Sequence, residues 1–255
     1  VIVSAIVVAA LREKKKLPEE KAMEARPAIL KIDINTAFEI EERNSRGGFI
    51  SIRIGKSKGN RYSSYQFLNA LERAISDDKI KGIYLKIMEP GMLTFSHMFE
   101  IKQLLTRLRE SGKFIYAYTT FLTPGYSYLL ASCDTIVMDP QGFVIWNGYF
   151  SSVLYWKQLL NKFGIRIKDM RARENKYKAF AENLTSDTMS NELRTQISEV
   201  LQERWNAVLE EMSRRTGLSV EQLKAMADSL HPASVYEALN LKFIDMIGKD
   251  NIIDT

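Results

Sequence analysis

The chain contains 255 residues, of which 45% are hydrophobic and 26% are charged. This apolar content is enough for a full-sized core and too high for an intrinsically disordered protein. One cysteine and two histidines exclude a disulfide scaffold and a recognisable zinc fold. No unbroken apolar run reaches the roughly 18 residues of a transmembrane helix, which excludes a polytopic membrane protein.

The net charge of +5 is a modest excess, and much of it lies in two stretches, residues 12–16 and 166–178. Neither stretch is interleaved with aromatic residues or belongs to a known nucleic-acid-binding motif. We therefore expect no nucleic-acid partner.

The chain opens on a short apolar segment, VIVSAIVVAAL, which a basic stretch follows. As a helix this segment would rise only about 16 Å, roughly half of a bilayer core. We interpret residues 1–27 as the remnant of a membrane anchor with a polar linker, and residues 28–255 as the folded domain. A buried strand is the alternative interpretation of the apolar run, and the basic flank leaves the membrane orientation open. Both ends look cut, so we expect the chain to be part of a larger protein.

After the linker, helices alternate with short apolar strands. From residue 63 apolar residues recur at helical spacing, and the run KGIYLKIM that follows is typical of a buried strand. Thr94 can cap the next helix and Gly112 can end it. Predicted strands cover residues 28–34, 81–88, 113–119 and 135–139, and the predicted helices between them begin at residues 63, 94 and 125.

Beyond the fourth strand the pattern becomes mainly helical. A turn is predicted at residues 140–142, a helix at residues 153–163 and a short strand at residues 165–168. One long amphipathic helix from Ser190 to Gly217 and two shorter helices follow. The shorter helices begin at serines with capping-box spacing, and a last strand is predicted at residues 242–247.

This order of elements predicts an α/β fold: a parallel sheet with crossover helices and a helical C-terminal excursion. The chain contains neither G-x-G-x-x-G nor a P-loop motif, so the sheet is not used for nucleotides in the usual way. No residue cluster suggests a cofactor or a metal.

The usual catalytic side chains form no recognisable constellation. His97 and His231 are isolated histidines at helix positions. Cys133 lies just before a buried strand, where a free thiol usually behaves as a small hydrophobe. We expect none of the three to be catalytic.

Residues 166–178 are different, because six cations face only two acids there. Repulsion between like charges favours the neutral form of a lysine, and partial burial beside Tyr177 and Phe180 would favour it further. A neutral lysine can act as the general base for a serine hydroxyl. The alternative is a solvated basic loop, since lysines are mostly exposed.

The end of this segment resembles the lysine motif of the signal peptide peptidase A family, also called protease IV. The family motif runs K-Y-K-S-A-V-E-P-F and then D-x-M-S; here residues 176–182 read KYKAFAE and residues 187–190 read DTMS. The segments IKGIYL, SGKFIYAY, GYSYLLAS and PQG also occur in the order that the family uses. The resemblance extends over roughly residues 28–250.

The resemblance implies a ClpP/crotonase-like domain and a Ser/Lys dyad in which Lys178 is the general base. The chain departs from the family at the nucleophile: single-domain members carry the serine in an A-S-G-G-Y-Y type motif, and Pro124 stands in its position here. Ser127, one helical turn further on, is the nearest hydroxyl. Ala179 and Asn183 replace a serine and a proline of the lysine motif.

Long, duplicated members of the family carry the lysine in the N-terminal half and the serine in the C-terminal half. The resemblance therefore implies that this chain is the N-terminal half of a serine endopeptidase and donates Lys178 to a serine on another segment or chain. The implied partners are a C-terminal serine-bearing domain, further copies of the chain, a peptide substrate and the membrane. The implied substrates are membrane-embedded signal peptide remnants, and the implied location is the periplasmic side of a bacterial inner membrane.

Two other functions stay open. A non-catalytic scaffold or pseudoenzyme subunit of the same fold is favoured by Pro124 and Ala179. An acyl-thioester enzyme of the crotonase type could bind an oxyanion with backbone N–H groups of the loop around Gly91. We locate no pair of carboxylates that such an enzyme would place near the reacting carbon.

Overall fold

The computed structural model describes residues 28–34, 64–88, 93–168 and 177–250. The strands are β1 (Ala28–Asp33), β2 (Ile80–Ile87), β3 (Phe114–Leu122), β4 (Thr135–Val144) and β5 (Met246–Ile247). The helices are α1 (Ser64–Ser76), α2 (Phe95–Glu110), α3 (Pro124–Leu130), α4 (Lys157–Lys162), α5 (Glu182–Thr185), α6 (Asn191–Thr216), α7 (Val220–Asp228) and α8 (Val235–Asn240). Within these ranges the strands form one sheet in the order β1-β2-β3-β4-β5.

All neighbouring strands of the sheet are parallel. A parallel pair needs a connection that returns the chain to the starting end of the sheet. Helix α2 lies in the connection between β2 and β3, α3 lies between β3 and β4, and α4 to α8 lie between β4 and β5. This order confirms the α/β fold predicted from the sequence: a parallel sheet with crossover helices and a helical C-terminal excursion.

Polar caps and glycines delimit the long helices where the sequence predicts them. The side chains of Thr94 and Ser190 each accept a backbone N–H from the first turn of α2 and α6, at 3.3 and 3.2 Å. Gly112 follows α2 with a φ of +81°, and Gly217 follows α6 with a φ of +79°. In this left-handed region glycine avoids the steric cost that a side chain would impose.

One face of the sheet forms the main core. Side chains alternate between the two faces of a strand, so every second strand residue points into this core. Helices α1 and α2 contribute Leu71, Ile101, Leu105 and Leu108, which are fully buried. Strand residues of this face that are at most 7% exposed include Leu30, Ile32, Ile83, Leu85, Ile87, Ile115, Ala117, Ile136 and Met138.

The opposite face of the sheet carries tyrosines and charged groups. Tyr84 and Tyr118 belong to a second buried cluster on this face. The Tyr84 hydroxyl and the Lys86 ammonium both donate to the carboxylate of Asp250, and the Tyr118 hydroxyl donates to Asp139 at 2.8 Å. Burial, reinforced by Asp139, raises the pKa of Tyr118, so its hydroxyl stays protonated and available as a donor.

An aromatic cluster attaches the C-terminal helices to the end of the sheet. Trp146, just beyond β4, is 1% exposed and donates its indole N–H to the carbonyl of Leu223 in α7 at 3.0 Å. Its ring lies 5.0 Å from the rings of Trp205 in α6 and of Phe243. Aromatic pairs at such distances add to the energy of apolar burial. The cluster therefore joins β4, α6, α7 and the segment that leads to β5.

Two predicted elements between β4 and α6 differ from the structure. Residues 165–168 form no strand, because Ile165 and Ile167 are 50% and 41% exposed and find no strand partner in the part of the chain that the structure describes. The helix predicted at residues 153–163 is reduced to α4. The backbone N–H of Trp156 bonds to the carbonyl of Asn183 at 2.7 Å, which ties this residue to another segment and not to a preceding helical turn.

Two further predictions differ at β4 and β5. The turn predicted at residues 140–142 lies inside β4 as a bulge, because the pairing of Thr119 with Met138 is followed by that of Phe121 with Phe143. The last strand begins only at Met246. Ahead of it Lys242 has a φ of +59°, so the chain turns there and cannot extend the strand to residue 242.

Two further interpretations concern segments that the structure leaves undescribed. The membrane-anchor remnant at residues 1–27 and the loop around Gly91 both lie outside the described residues. Within the described ranges, none of the helices combines the length and the apolar character needed to cross a bilayer.

We predict a pH-dependent loss of stability for Asp250→Asn. Burial tends to raise the pKa of Asp250, but hydrogen bonds from Lys86 and Tyr84 outweigh it and hold this pKa below its ordinary value. A carboxylate with a lowered pKa stabilises the fold above its unfolded pKa of about 3.9, and this contribution is lost as the pH falls through the folded pKa. Since about a third of the side chain is exposed and screened by solvent, we expect a cost of only about 1 kcal/mol at neutral pH.

Urea unfolding of both proteins at pH 7 and pH 3 measures this effect. The difference between wild type and Asp250→Asn should shrink below about pH 4. Asp78→Asn, in the exposed turn before β2, is the matched control and should show no such pH dependence. An equal difference at both pH values would contradict the ionic role of Asp250.

Candidate active site

The predicted general base lies in what we call the lysine loop, residues 177–190, which contains α5 and leads into α6. Lys178 is exposed in the single chain, and its neighbours Tyr177 and Phe180 are 61% and 99% exposed. The partial burial beside these two rings that the sequence analysis expects is therefore absent in the single chain, because both rings point towards solvent. The role of Lys178 stays a prediction. Residues 169–176, which include the first lysine of the motif, lie outside the described residues.

The lysine loop is held by one buried carboxylate. Glu182 is 2% exposed, and it accepts the backbone N–H of Ser190 at 2.5 Å and the Ser190 hydroxyl at 2.7 Å. The hydroxyl of Tyr155 donates a longer and weaker hydrogen bond to it at 3.4 Å. Partial burial and the charge of Glu182 raise the pKa of Tyr155, so this hydroxyl stays protonated. A buried charge is tolerated when such donors satisfy it.

Two further contacts tie the lysine loop to the segment before α4. The Trp156 N–H donates to the carbonyl of Asn183 at 2.7 Å, and the Lys157 ammonium pairs with the carboxylate of Asp187, also at 2.7 Å. The hydrogen bond from Lys157 is the main cause that lowers the pKa of Asp187. Trp156 and Lys157 directly follow Tyr155 in the chain, so the lysine loop and the segment before α4 are joined by several contacts around Glu182.

We call residues 150–168 the apolar arm, because their large hydrophobic side chains face solvent. Helix α4 within it has no buried residue. Exposed fractions reach 81% at Phe150 and 74% at Phe163, and the other members above 40% are Leu154, Trp156, Leu159, Ile165 and Ile167. Together with Tyr177 and Phe180 of the lysine loop, these residues form a set of exposed apolar groups that is unusual for a free protein surface.

The position of the family's serine holds no nucleophile here. Pro124 is buried at the start of α3, where its fixed φ and missing N–H suit the first turn of a helix. Ser127 is 1% exposed, and its hydroxyl has no hydrogen-bond partner among the described residues, Lys178 included. Ser127 therefore forms no hydrogen bond with Lys178 in the single chain.

The cysteine and the two histidines contact neighbouring side chains or lie in the core. Burial raises the pKa of Cys133 to about 12, so the thiol stays protonated and unreactive. His97 Nδ1 lies 3.1 Å from Thr94 Oγ1, and His231 Nδ1 lies 3.2 Å from a carboxylate oxygen of Glu237. Across the described ranges, no three His, Cys, Asp or Glu side chains are grouped to hold a metal ion.

Tyr149 belongs to no sequence motif, so its position near Pro124 could not be predicted from the sequence. It lines a groove of about 520 Å³ between the end of β4 and helices α6 and α7. Burial raises the pKa of Tyr149 to about 12, and its hydroxyl is unpaired in the part of the chain that the structure describes. Gly125 allows its close approach, since a Cβ there would lie 3.3 Å from that hydroxyl. The groove is thus next to the segment where single-domain relatives of the resembled family carry their serine.

Glu182 and Tyr155 were also missed as partners. Glu182 was visible only as one letter of the lysine motif, and Tyr155 lies 27 residues away from it in the chain. The one local feature that indicates a buried pair is that Glu182 of the motif is followed eight residues later by Ser190, a serine that caps a helix.

Comparisons with known proteins agree with the motif. Residues 107–253 match the profile of Peptidase family S49. Protease 4 of Salmonella typhi is 28% identical over 193 residues, which cover 73% of this chain and 31% of that protein. Protease 4 of Haemophilus influenzae is 24% identical over 66% of this chain and 27% of that protein. The chloroplastic serine protease SPPA of Arabidopsis thaliana is 25% identical over 69% and 25%, respectively.

The chain spans between a quarter and about a third of the length of these curated relatives. Among solved structures, an enoyl CoA isomerase from M. smegmatis matches with a TM-score of 0.41 and 10% identity, over 75% of this chain and 66% of that one. A peptidase from Plasmodium falciparum matches with a TM-score of 0.43 and 13% identity, over 73% and 89%. TM-scores this low support no comparison of sites.

We predict that Ser127→Ala is neutral or stabilising. The variant removes a buried hydroxyl that has no partner in the described structure, so the free energy of unfolding should stay the same or rise by up to about 1 kcal/mol. Peptide hydrolysis by the complete protein should be unchanged. Urea unfolding and an activity assay measure the two effects, and a loss of hydrolysis would identify Ser127 as a nucleophile.

The matched control for this prediction is Thr119→Val. Thr119 is equally buried, but its hydroxyl donates to the carbonyl of Phe121 at 2.6 Å and accepts the N–H of the same residue at 3.2 Å. This substitution should cost about 1–3 kcal/mol, because it removes both of these buried hydrogen bonds.

Proposed function

The chain belongs to peptidase family S49, and from this membership we propose that it is the lysine-bearing part of a serine peptidase with a Ser/Lys dyad. Lys178 is the general base, and the serine comes from another segment or chain. The observation that supports this division most directly is at the serine position: Pro124 is buried there and carries no nucleophile.

The proposed reaction uses Lys178 twice. In its neutral form the amine accepts the proton of the serine hydroxyl while the serine oxygen attacks the peptide carbonyl and forms a tetrahedral intermediate. The resulting ammonium then gives its proton to the nitrogen of the departing amine as the peptide bond breaks. Water hydrolyses the acyl-enzyme in the second half, with the same amine as base.

A neutral lysine requires surroundings that exclude water. Tyr177 and Phe180 lie beside Lys178 and expose most of their apolar surface in the single chain. A domain that docks over these rings would bury the amine and at the same time bring its serine to it. The exposed apolar arm supports the same expectation of a partner, either the serine-bearing domain or a further copy of the chain.

We further propose peptide substrates derived from signal peptides, and attachment to the outer face of a bacterial inner membrane through the N-terminal segment. These proposals are supported by the short apolar run at residues 1–11 and by the resemblance of the lysine motif. The relatives named Protease 4 support a peptide substrate in general.

A non-catalytic scaffold of the same fold is the second candidate function. Pro124 and Ala179 favour it, since both replace hydroxyl-bearing residues of the family motifs. The two candidates differ in the complete protein: the peptidase requires a G-S-x-A-S-G-G-Y type serine segment outside residues 1–255, and the scaffold does not.

We predict that Lys178→Ala in the complete protein lowers kcat for peptide hydrolysis by about a thousandfold or more, because the serine loses its base. The fold should be retained, since the side chain is exposed in the single chain. A peptide cleavage assay and thermal unfolding measure the two effects. Lys168→Ala, another exposed lysine of the same basic segment, is the matched control and should keep full activity. Undiminished hydrolysis by the Lys178 variant would refute the assignment.

We also predict that Phe163→Asp weakens association of the complete protein with its partner domain or copies. Phe163 is 74% exposed, so the substitution should leave the unfolding temperature unchanged while the dissociation constant rises about tenfold or more. Analytical ultracentrifugation measures the assembly state. Tyr236→Asp alters a similarly exposed aromatic residue on α8 (66% exposed) and should not affect association. Equal behaviour of the two variants would argue against a docking role for the apolar arm.

A further inference from the structure

We propose that Glu182 is a positioning residue for Lys178: its buried carboxylate ties the lysine loop to the start of α6 and to the apolar arm. The inference rests on the proposed function, because it concerns the direction in which the loop presents the base. Glu182 touches neither substrate nor serine in this proposal, and it acts only through the backbone of the loop.

Glu182 is the buried attachment point of the lysine loop, in addition to the contacts of Asn183 with Trp156 and of Asp187 with Lys157. Among residues 177–190 it is the only buried side chain; the others are half-buried or exposed. A loop with a single buried side chain has little apolar packing to define its conformation, so its geometry depends on the hydrogen bonds of that side chain.

Neutral donors satisfy the charge. Both carboxylate oxygens face Ser190, one accepting its backbone N–H at 2.5 Å and the other its hydroxyl at 2.7 Å. Ser190 precedes the first turn of α6, where the helix dipole also favours a negative charge. Tyr155 adds a third donor from the apolar arm at 3.4 Å.

The hydroxyl of Ser190 serves two partners at once. It donates to Glu182 and accepts the backbone N–H of Leu193 at 3.2 Å, which caps α6. Loss of this hydroxyl therefore leaves one carboxylate oxygen of Glu182 unpaired in a buried site and uncaps the helix.

The connection from the carboxylate to the base is short. The backbone N–H of Glu182 donates to the carbonyl of Ala179 at 3.0 Å, and Ala179 follows Lys178 directly. The carbonyl of Glu182 accepts the N–H of Ser186 at 2.8 Å, which closes α5 on the other side. A shift of the Glu182 side chain would therefore move the turn that carries Lys178. Misplacement of a catalytic group by about 1 Å can cost two orders of magnitude in rate.

The experiment uses four variants of the complete protein: Glu182→Gln, Ser190→Ala, Ser190→Thr and Ser219→Ala. Glu182→Gln keeps the shape but replaces one accepting oxygen by a donor. Ser219 is the matched control, because its hydroxyl caps α7 by accepting the N–H of Gln222 at 3.2 Å, as Ser190 caps α6, but it follows the C-terminal end of α6 whereas the lysine loop precedes the N-terminal end. Ser190→Thr keeps the hydroxyl.

We expect Glu182→Gln and Ser190→Ala to lower kcat by about ten- to a hundredfold per folded molecule, with KM within about twofold of wild type. In Ser190→Ala, which keeps the charge of Glu182, the acid limb of the pH profile of kcat/KM should move to higher pH, because a base that is held less firmly in its site is more solvated. Ser190→Thr should restore kcat to near the wild-type value, and Ser219→Ala should leave both kcat and the acid limb unchanged.

The outcomes separate this inference from the proposed function. Wild-type kcat and an unmoved acid limb in Ser190→Ala, in a protein that Lys178→Ala inactivates, would overturn the positioning role and leave the dyad intact. An active Lys178→Ala variant would instead remove the dyad itself. If Glu182→Gln does not fold, the two Ser190 variants test the inference. It is contradicted if Ser190→Ala and Ser190→Thr lower kcat equally, or if Ser219→Ala lowers kcat as much as Ser190→Ala does.

Discussion

A parallel sheet has to be covered on both of its faces, and this requirement organises the described part of the chain. Aliphatic residues of β1 to β4 and helices α1 and α2 bury one face. The other face buries Tyr84 and Tyr118, whose hydroxyls are paired with Asp250 and Asp139. The long excursion from β4 through five helices has to return to the sheet so that β5 and Asp250 complete it. The aromatic cluster around Trp146 joins parts of that excursion to the sheet.

The lysine loop obeys a different constraint. Apolar burial defines the sheet, whereas the loop depends on the hydrogen bonds of Glu182 and leaves Phe180 almost fully exposed. A single chain does not gain stability from an exposed aromatic ring beside an exposed base. Docking of another domain would explain both the exposed ring and the exposed base, since it would bury the rings and exclude water from Lys178. The lysine loop thus combines little apolar packing with the residue to which we assign the chemistry.

Family membership and the local departures from the family have to be explained together. The S49 profile covers residues 107–253, which include α3, the lysine loop and α6. Within that stretch Pro124 is well suited to its place at the start of a helix and unsuited to catalysis. This chain keeps the fold and the lysine loop, but a proline stands at the serine position. Such a chain fits a peptidase whose lysine and serine lie on different domains. The fold alone fits a non-catalytic scaffold equally well. The firmly held Glu182 favours the first, because a scaffold has no use for a precisely directed lysine.

Features that depend on neighbours in the chain could be predicted from the amino-acid sequence. Thr94, Ser190 and Ser219 cap helices and Gly112 and Gly217 end them, because caps and left-handed residues act within one turn. The alternation of buried strands with helices was sufficient for the α/β class, and the motif was sufficient to single out Lys178. The three-dimensional structure shows which apolar residues are covered: Ile165 and Ile167 have the pattern of a strand but find no partner strand among the described residues, and Val200 in α6 is 45% exposed. It also decided that Glu182 meets Tyr155 and Ser190, because periodicity records a local preference, whereas burial and the pairing of buried polar groups depend on which distant segments meet in space.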